Sequence, residues 1–231
     1  MNMQTNSHQT VLGLDMSTEI TTVALQLPTG ELQQASLEGP RPSRDVLKEA
    51  ERLLQDAGVR LSDVEALAFG RGPGAFTGLR VAAGIAQGLA LGLDIPLLPV
   101  SSLQALAWRV FLESGEARVV AALDARMNEI YWAAFECSEQ GIETVAEESL
   151  AMPTALRWPA GRGDDWVAAG PGFAAYDALR DLAARHGKGP AMDAIRPDAQ
   201  HVIACSRFVA AVPVEEGIPV YLRDEVAWKK A

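Results

Sequence analysis

Asp15, Asp124 and the glycine-rich stretch from Phe69 to Arg80 are the residues of this chain whose types and spacing offer chemistry. Asp15 closes the apolar run Val11-Leu-Gly-Leu14, and Asp124 closes a second apolar run that begins at Arg118. A carboxylate at the open end of a buried strand can hold a phosphate through a metal ion or a water. It can equally cap its own turn, because an aspartate side chain accepts hydrogen bonds from the backbone N–H groups that follow it. The glycine stretch reads Phe69-Gly-Arg-Gly-Pro-Gly-Ala-Phe-Thr-Gly-Leu-Arg80. A strand, a glycine turn and a helix start in that order expose backbone N–H groups at the positive end of a helix dipole, which suits an anion. Asp15, Arg71, Gly72, Gly74, Thr77 and Arg80 are the candidate contacts for an anion or a nucleotide. The stretch lacks the Gly-Lys-Ser/Thr ending of a phosphate loop and does not match Gly-x-Gly-x-x-Gly. A structural turn, with its glycines permitting close approach and Arg71 and Arg80 holding a carboxylate of the chain itself, accounts for it as well.

Few other residues compete for a chemical role. His8, His186 and His201 stand singly, and each is expected at the surface or in a loop. Cys137 and Cys205 are far apart and form no Cys-x-x-Cys pair, the usage of reduced intracellular thiols, and Cys137 reads as an ordinary packed thiol. No Ser/His/Asp or Cys/His grouping is suggested.

The elements that must position the aspartates follow from the apolar pattern. Two strands, 11–15 and 20–27, and a third over 31–37 make an antiparallel meander around the turn 16–19 and the Pro28-Thr-Gly30 turn. Gly39-Pro-Arg-Pro42 ends it, and Ser43 caps a helix to residue 57 with Val46, Leu47, Ala50, Leu53 and Leu54 on one face. A short strand, 64–69, leads into the glycine loop, and Thr77 opens a helix to residue 93. Strand 96–100 and a helix capped by Ser101 or Ser102 close the first half. Strand 118–124, a turn and strand 129–135 then repeat the opening, with Asp15 and Asp124 standing 109 positions apart. A strand at 166–169, then Gly170-Pro-Gly172 and a helix from there to Arg185, another helix over 199–211 and a docking tail from Pro219 complete the chain. The expected organisation is α/β and duplicated, with lobes at 1–115 and 116–231.

The helix that opens at Thr77 is apolar nearly all round. Val81, Ile85, Leu89 and Leu93 lie on one face, Ala82, Ala86 and Ala90 on another, and Gly84, Gly88 and Gly92 on a third. A glycine inside a helix costs about 0.5–1 kcal/mol relative to alanine, so three in register need a reason, and close approach of another helix is one. One side meets the helix's own lobe and the other is expected to meet a partner. Val81, Gly84, Ile85, Gly88, Leu89, Gly92, Leu47 and Leu54 are the expected interface, with Ala86 or Ala90 facing out.

Composition sets the outer limits. Thirty acidic residues face twenty basic ones, a net charge of −10, so the chain's field repels nucleic acid and any RNA role runs through a partner. Residues 1–10 carry no secretion signal, and the apolar stretch 81–100 is interrupted by Gln87, Asp94 and Pro96, so no membrane span and a cytoplasmic location are expected.

These residues also carry a resemblance. The glycine stretch looks like the GRGPGxFTGxR signature of the TsaB (YeaZ) family. Leu14-Asp-Met-Ser-Thr18 resembles its LDTST, with Met16 where the family usually has threonine. Leu123-Asp-Ala-Arg-Met127, Glu129-Ile-Tyr131 and Tyr221-Leu-Arg223 with Val226 and Ala227 resemble its later segments in the same order. The resemblance implies an actin-like (ASKHA) two-lobed α/β fold of the sugar-kinase class. It implies a non-catalytic subunit that pairs with a TsaD-like catalytic subunit, with a TsaE-like ATPase in the same complex. The reaction served is threonylcarbamoyl transfer to the adenosine next to the anticodon of tRNA. The chain alone would be a homodimer, with no cofactor of its own, with tRNA reached only through the complex and ATP at most at the complex interface. The histidine-x3-histidine metal motif of TsaD falls here on Ser102 and Leu106, and leucine cannot ligate a metal. The competing readings are an actin-like small-molecule kinase or ATPase, and a glycoprotease-type peptidase.

Overall fold

The computed structural model describes residues 9–38, 42–159 and 165–223. His8, the breaker residues 39–41 and the pair Val226 and Ala227 lie outside the described residues. The chain opens with the expected meander, β1 (Val11–Asp15), β2 (Thr21–Gln26) and β3 (Leu32–Leu37). It continues through α1 (Pro42–Asp56), β4 (Ala66–Gly72), α2 (Phe76–Leu93), β5 (Leu97–Ser101) and α3 (Ser102–Ser114). The first sheet runs β3-β2-β1-β4-β5, antiparallel among β1, β2 and β3 and parallel from β1 through β4 to β5. Ser101 caps α3 by accepting from the Gln104 N–H at 3.1 Å. Helix α1 starts at Pro42, two positions earlier than an N-cap at Ser43 implies, which puts Ser43 inside its first turn.

The second sheet repeats this plan. Strands β6 (Arg118–Arg126), β7 (Glu129–Ser138), β8 (Gly141–Ala151) and β9 (Trp166–Ala169) are ordered β8-β7-β6-β9. As in the first sheet, a meander of three strands is followed by a strand parallel to the first, so β6 corresponds to β1 and β9 to β4. The duplication expected from the two aspartates is therefore a duplication of topology, and the fold is actin-like.

Alternation along the strands builds three apolar layers. Leu12, Leu14, Val23, Leu25, Leu67 and Phe69 face α1 and α2 on the outside of the first sheet. Val11, Ala24, Ala68 and Val100 point the other way and meet Val119, Phe135 and Val167 of the second sheet through α3 and α6 (Ala199–Ser206). Val120, Ala122, Ile130 and Trp166 pack outward against α4 (Pro171–Ala175) and α5 (Asp177–His186). Helix α6 belongs to the second half of the chain but packs on β1, β2 and β4.

Four expectations are corrected. Strand β8 had no counterpart in the sequence reading. The helix expected after Gly170-Pro-Gly172 to Arg185 starts at Pro171 and is broken at Tyr176, whose backbone is extended (φ −133°, ψ 122°) while its hydroxyl donates to Asp124 at 2.8 Å. The helix expected over 199–211 ends at Ser206, because the chain turns to pair Val212 with Leu97 at the edge of β5. His201 is a buried residue of α6, 4% exposed, with its Nδ1 2.7 Å from Asp198. Burial works against the Asp198 carboxylate, but hydrogen bonds from His201 and the Arg109 charge outweigh it and hold it below its ordinary range.

Candidate inter-lobe cleft and partner face

The two hairpin turns, 16–20 and 126–128, face each other across a cleft of about 640 Å³ between the lobes. Its walls are residues 17–19 and 73–76 on one side, and 123–127 with Pro171 and Ala174 on the other. Residues 220–223 also line it. The Val220 N–H donates to the Arg71 carbonyl of the first lobe at 2.8 Å. Arg223 reaches the second lobe, donating to the Ala125 carbonyl at 3.2 Å and pairing with Glu129. The tail thus straps one lobe to the other.

Neither aspartate offers a free carboxylate to the cleft. Asp15 is completely buried, and its Oδ1 accepts from the Ser17 N–H at 3.1 Å and the Ser17 hydroxyl at 2.8 Å. Its Oδ2 lies over Gly70, beside the buried Ser102 hydroxyl, and neither oxygen has a hydrogen-bond partner. Asp124 accepts from the Tyr176 hydroxyl and the Arg126 N–H, each at 2.8 Å, and pairs with the Arg126 guanidinium. Glu19 pairs with Arg196 at 2.6 Å. A magnesium nucleotide needs carboxylates that can face its metal and cations that can face its phosphates. Of the acids that line the cleft, Asp124 and Glu19 are each paired with an arginine, while Asp15 is buried outside that lining. Residues 126–128 hold three consecutive left-handed conformations, φ 62°, 55° and 61°, which fixes this hairpin tightly.

Burial pushes the Asp15 carboxyl up to about 6, against the two hydrogen bonds from Ser17 and with the Asp198 charge adding to the rise. A carboxyl whose folded value exceeds its unfolded value of 3.8 contributes stability that is complete below 3.8 and lost as pH rises through about 6. The ionised group therefore costs about 3 kcal/mol at neutral pH. Asp15→Asn keeps an acceptor for Ser17 and carries no charge. It is expected to melt roughly 5–10 °C above the parent at pH 7.5, with the gap closing near pH 4. Thermal denaturation of both proteins across that range checks it, and a gap that widens on acidification would contradict the assignment.

The glycine loop is bound into the chain itself. Arg71 pairs with Glu148 of β8 at 3.3 Å, and Glu148 also accepts from the Ser101 hydroxyl, so Arg71 joins the two lobes. The Ala75 N–H donates to the Ser17 carbonyl at 2.7 Å. A side chain on Gly74 would crowd Ser17, its Cβ within 2.9 Å of the Ser17 Cα, and one on Gly78 would overlap the Met16 carbonyl. Thr77 is exposed in the first turn of α2, and Gly72 is buried at φ 105°. Ser102 and Leu106 are wholly buried between the sheets. Burial pushes the Cys137 thiol up to about 12, which leaves it inert.

Helix α2 shows a different surface on each side. Leu79, Ala82, Ala83, Ala86 and Ala90 are buried on the first sheet, so Ala86 and Ala90 both point inward rather than either facing out. Gly84, Gly88 and Gly92 are exposed, and a Cβ on any of them would meet nothing within 4 Å. Val81, Ile85 and Leu89 are half-buried at the margins, and Leu91 is 74% exposed. By length and composition α2 could cross a membrane, but its inner face is part of the core. On α1, Leu47 is exposed, whereas Leu54 is 5% exposed and packs in the chain's own core. Sequence reasoning missed Glu148 and Tyr176, and it expected the tail to dock without giving the Arg223 pairing with Glu129.

Comparison with known proteins places this arrangement. Residues 42–230 match the family described as TsaD: tRNA N6-adenosine threonylcarbamoyltransferase. The tRNA threonylcarbamoyladenosine biosynthesis protein TsaB of Escherichia coli is 38% identical over 95% of this chain and 97% of its own. Its namesake from Haemophilus influenzae is 35% identical over 96% of both. The solved structure of YeaZ from Pseudomonas aeruginosa superposes with a TM-score of 0.82, at 38% identity, over 93% of this chain and all of that one. With the glycine loop, the paired hairpins and near full-length similarity all agreeing, the chain belongs to the TsaB (YeaZ) family of tRNA threonylcarbamoyladenosine biosynthesis proteins.

Proposed function

We propose that this chain serves threonylcarbamoyladenosine formation as a non-catalytic subunit, docking on a TsaD-like catalytic subunit that carries out the transfer to the adenosine next to the anticodon. The observation that carries this reading is the outer face of α2, where three exposed glycines floor an apolar strip while the cleft's carboxylates are engaged within the chain. Exposed glycine in a helix is unfavourable unless another backbone comes close. In the absence of that partner the same face pairs two copies of the chain, since one apolar strip can be buried by either. A TsaE-like ATPase joins the same complex in the cytoplasm. ATP is handled at subunit interfaces rather than in this chain's cleft, and tRNA is held by the assembly, because a net charge of −10 opposes binding by this subunit alone.

Reconstitution tests the reading. The chain, the catalytic subunit and the ATPase, each alone and together, are supplied with tRNA, ATP and an activated threonylcarbamoyl donor and assayed for threonylcarbamoyladenosine in the tRNA. Product is expected only when the catalytic subunit is present, with this chain raising its yield. Product from this chain alone, or a yield unchanged by its omission, would sink the proposal.

A further inference from the structure

We infer that Arg80 is a preset carboxylate-binding anchor on this chain, placed at one end of the α2 face to receive an aspartate or glutamate of the catalytic subunit; the inference rests on the docking reading above. Arg80 lies one helical turn from Gly84 and one turn from Phe76, so 76, 80, 84 and 88 run along one side of α2. Its guanidinium carbon sits 3.6 Å from the centre of the Phe76 ring and 5.5 Å from that of Tyr221. Its Nε–H donates to the Tyr221 hydroxyl at 3.0 Å. Both rings are large apolar groups left open to solvent, 43% and 40% exposed, and their centres are 5.5 Å apart.

The other arginines of this region are neutralised within the chain. Arg71 is held by Glu148, Arg126 by Asp124, Arg196 by Glu19 and Arg223 by Glu129. Arg80 uses only Nε, and among the described residues its two terminal nitrogens have no acceptor. A stacked guanidinium has already lost much of its rotational freedom, so it binds a fork-shaped anion at a reduced entropic cost. Arginine with exposed aromatics is also the composition of interface hot spots. A carboxylate fits the two free N–H edges in bidentate fashion. Phosphate has the same edge geometry, but an RNA strand needs a track of unpaired cations, and the neighbouring arginines are spent. The Phe76 face that a base would stack on is covered by the guanidinium itself.

Titration calorimetry of Arg80→Ala, Arg80→Gln and Arg80→Lys against the catalytic subunit, at low and high salt, tests this. Loss of a charge-assisted fork is expected to weaken pairing about tenfold or more in the Ala and Gln variants, with only partial recovery in Lys. The parent should lose affinity with salt more steeply than either neutral variant. Arg80→Glu should pair again when one acidic residue of the catalytic subunit's docking surface is changed to arginine. Parent-like affinity in both neutral variants would overturn the inference and leave the docking reading intact. So would unchanged pairing with weakened tRNA binding by the assembled complex, which would assign Arg80 to RNA. A parent chain that does not bind the catalytic subunit at all would remove both.

Discussion

Gly88→Arg is expected to do two opposite things: stabilise the isolated chain slightly and abolish its association. The first effect follows from the helix. Gly88 lies mid-helix with nothing within 4 Å of where a Cβ would stand, so a side chain enters free space and gains about 0.5–1 kcal/mol of helix propensity. The second follows from the surface. A guanidinium on a strip that must accept another backbone blocks close approach and buries a charge without a partner. Association with the catalytic subunit is expected to fall at least a hundredfold, on the order of 3 kcal/mol. Gel filtration with light scattering should give a monomer where the parent is expected to give a dimer, and a melting curve should show the gain. An alternative test at Ala86 or Ala90 would mislead, because both are wholly buried on the first sheet and arginine there would unfold the lobe.

Gly78→Val carries the largest expected effect on folding. The position looks like part of an anion loop, but its missing side chain is what lets α2 lie against the Met16 carbonyl. A Cβ there overlaps backbone rather than a movable side chain, so relief requires shifting the helix or the turn after β1. Overpacking of this kind costs about 3 kcal/mol or more. The variant is expected to be largely insoluble, or to unfold at markedly lower denaturant. A soluble Gly78→Val protein of parental stability that fails only in binding would instead make the loop a recognition element.

What was legible in the sequence was what local pattern dictates. The buried strands around Asp15 and Asp124 are short apolar runs ending on a carboxylate, and their repetition announced two lobes of one topology. The apolar wrap of α2 announced that one side would lie open, since a single sheet covers only one face. What escaped was tertiary. Strand β8 shifts register against β7 near Trp132 and Ala134, so its apolar residues do not alternate cleanly and no period of two stands out. The break at Tyr176 serves a hydroxyl bond to Asp124, a residue 52 positions away. His201 gives no local sign of burial, because its partner Asp198 is also the N-cap of its helix and reads as a surface turn. The choice between Asp15 as turn cap and Asp15 as phosphate handler needed the geometry of Ser17 and Gly70.

We propose that this chain acts through the outer face of α2 and not through its cleft. Hydrogen–deuterium exchange by mass spectrometry measures both surfaces in one experiment, at a concentration where light scattering gives a monomer. Adding the catalytic subunit is expected to slow exchange over residues 80–92, and adding magnesium ATP to the chain alone is expected to leave residues 16–20 and 123–128 unchanged. Protection of those two hairpins by the nucleotide, with none over 80–92 from the catalytic subunit, would assign the chain's action to its cleft instead.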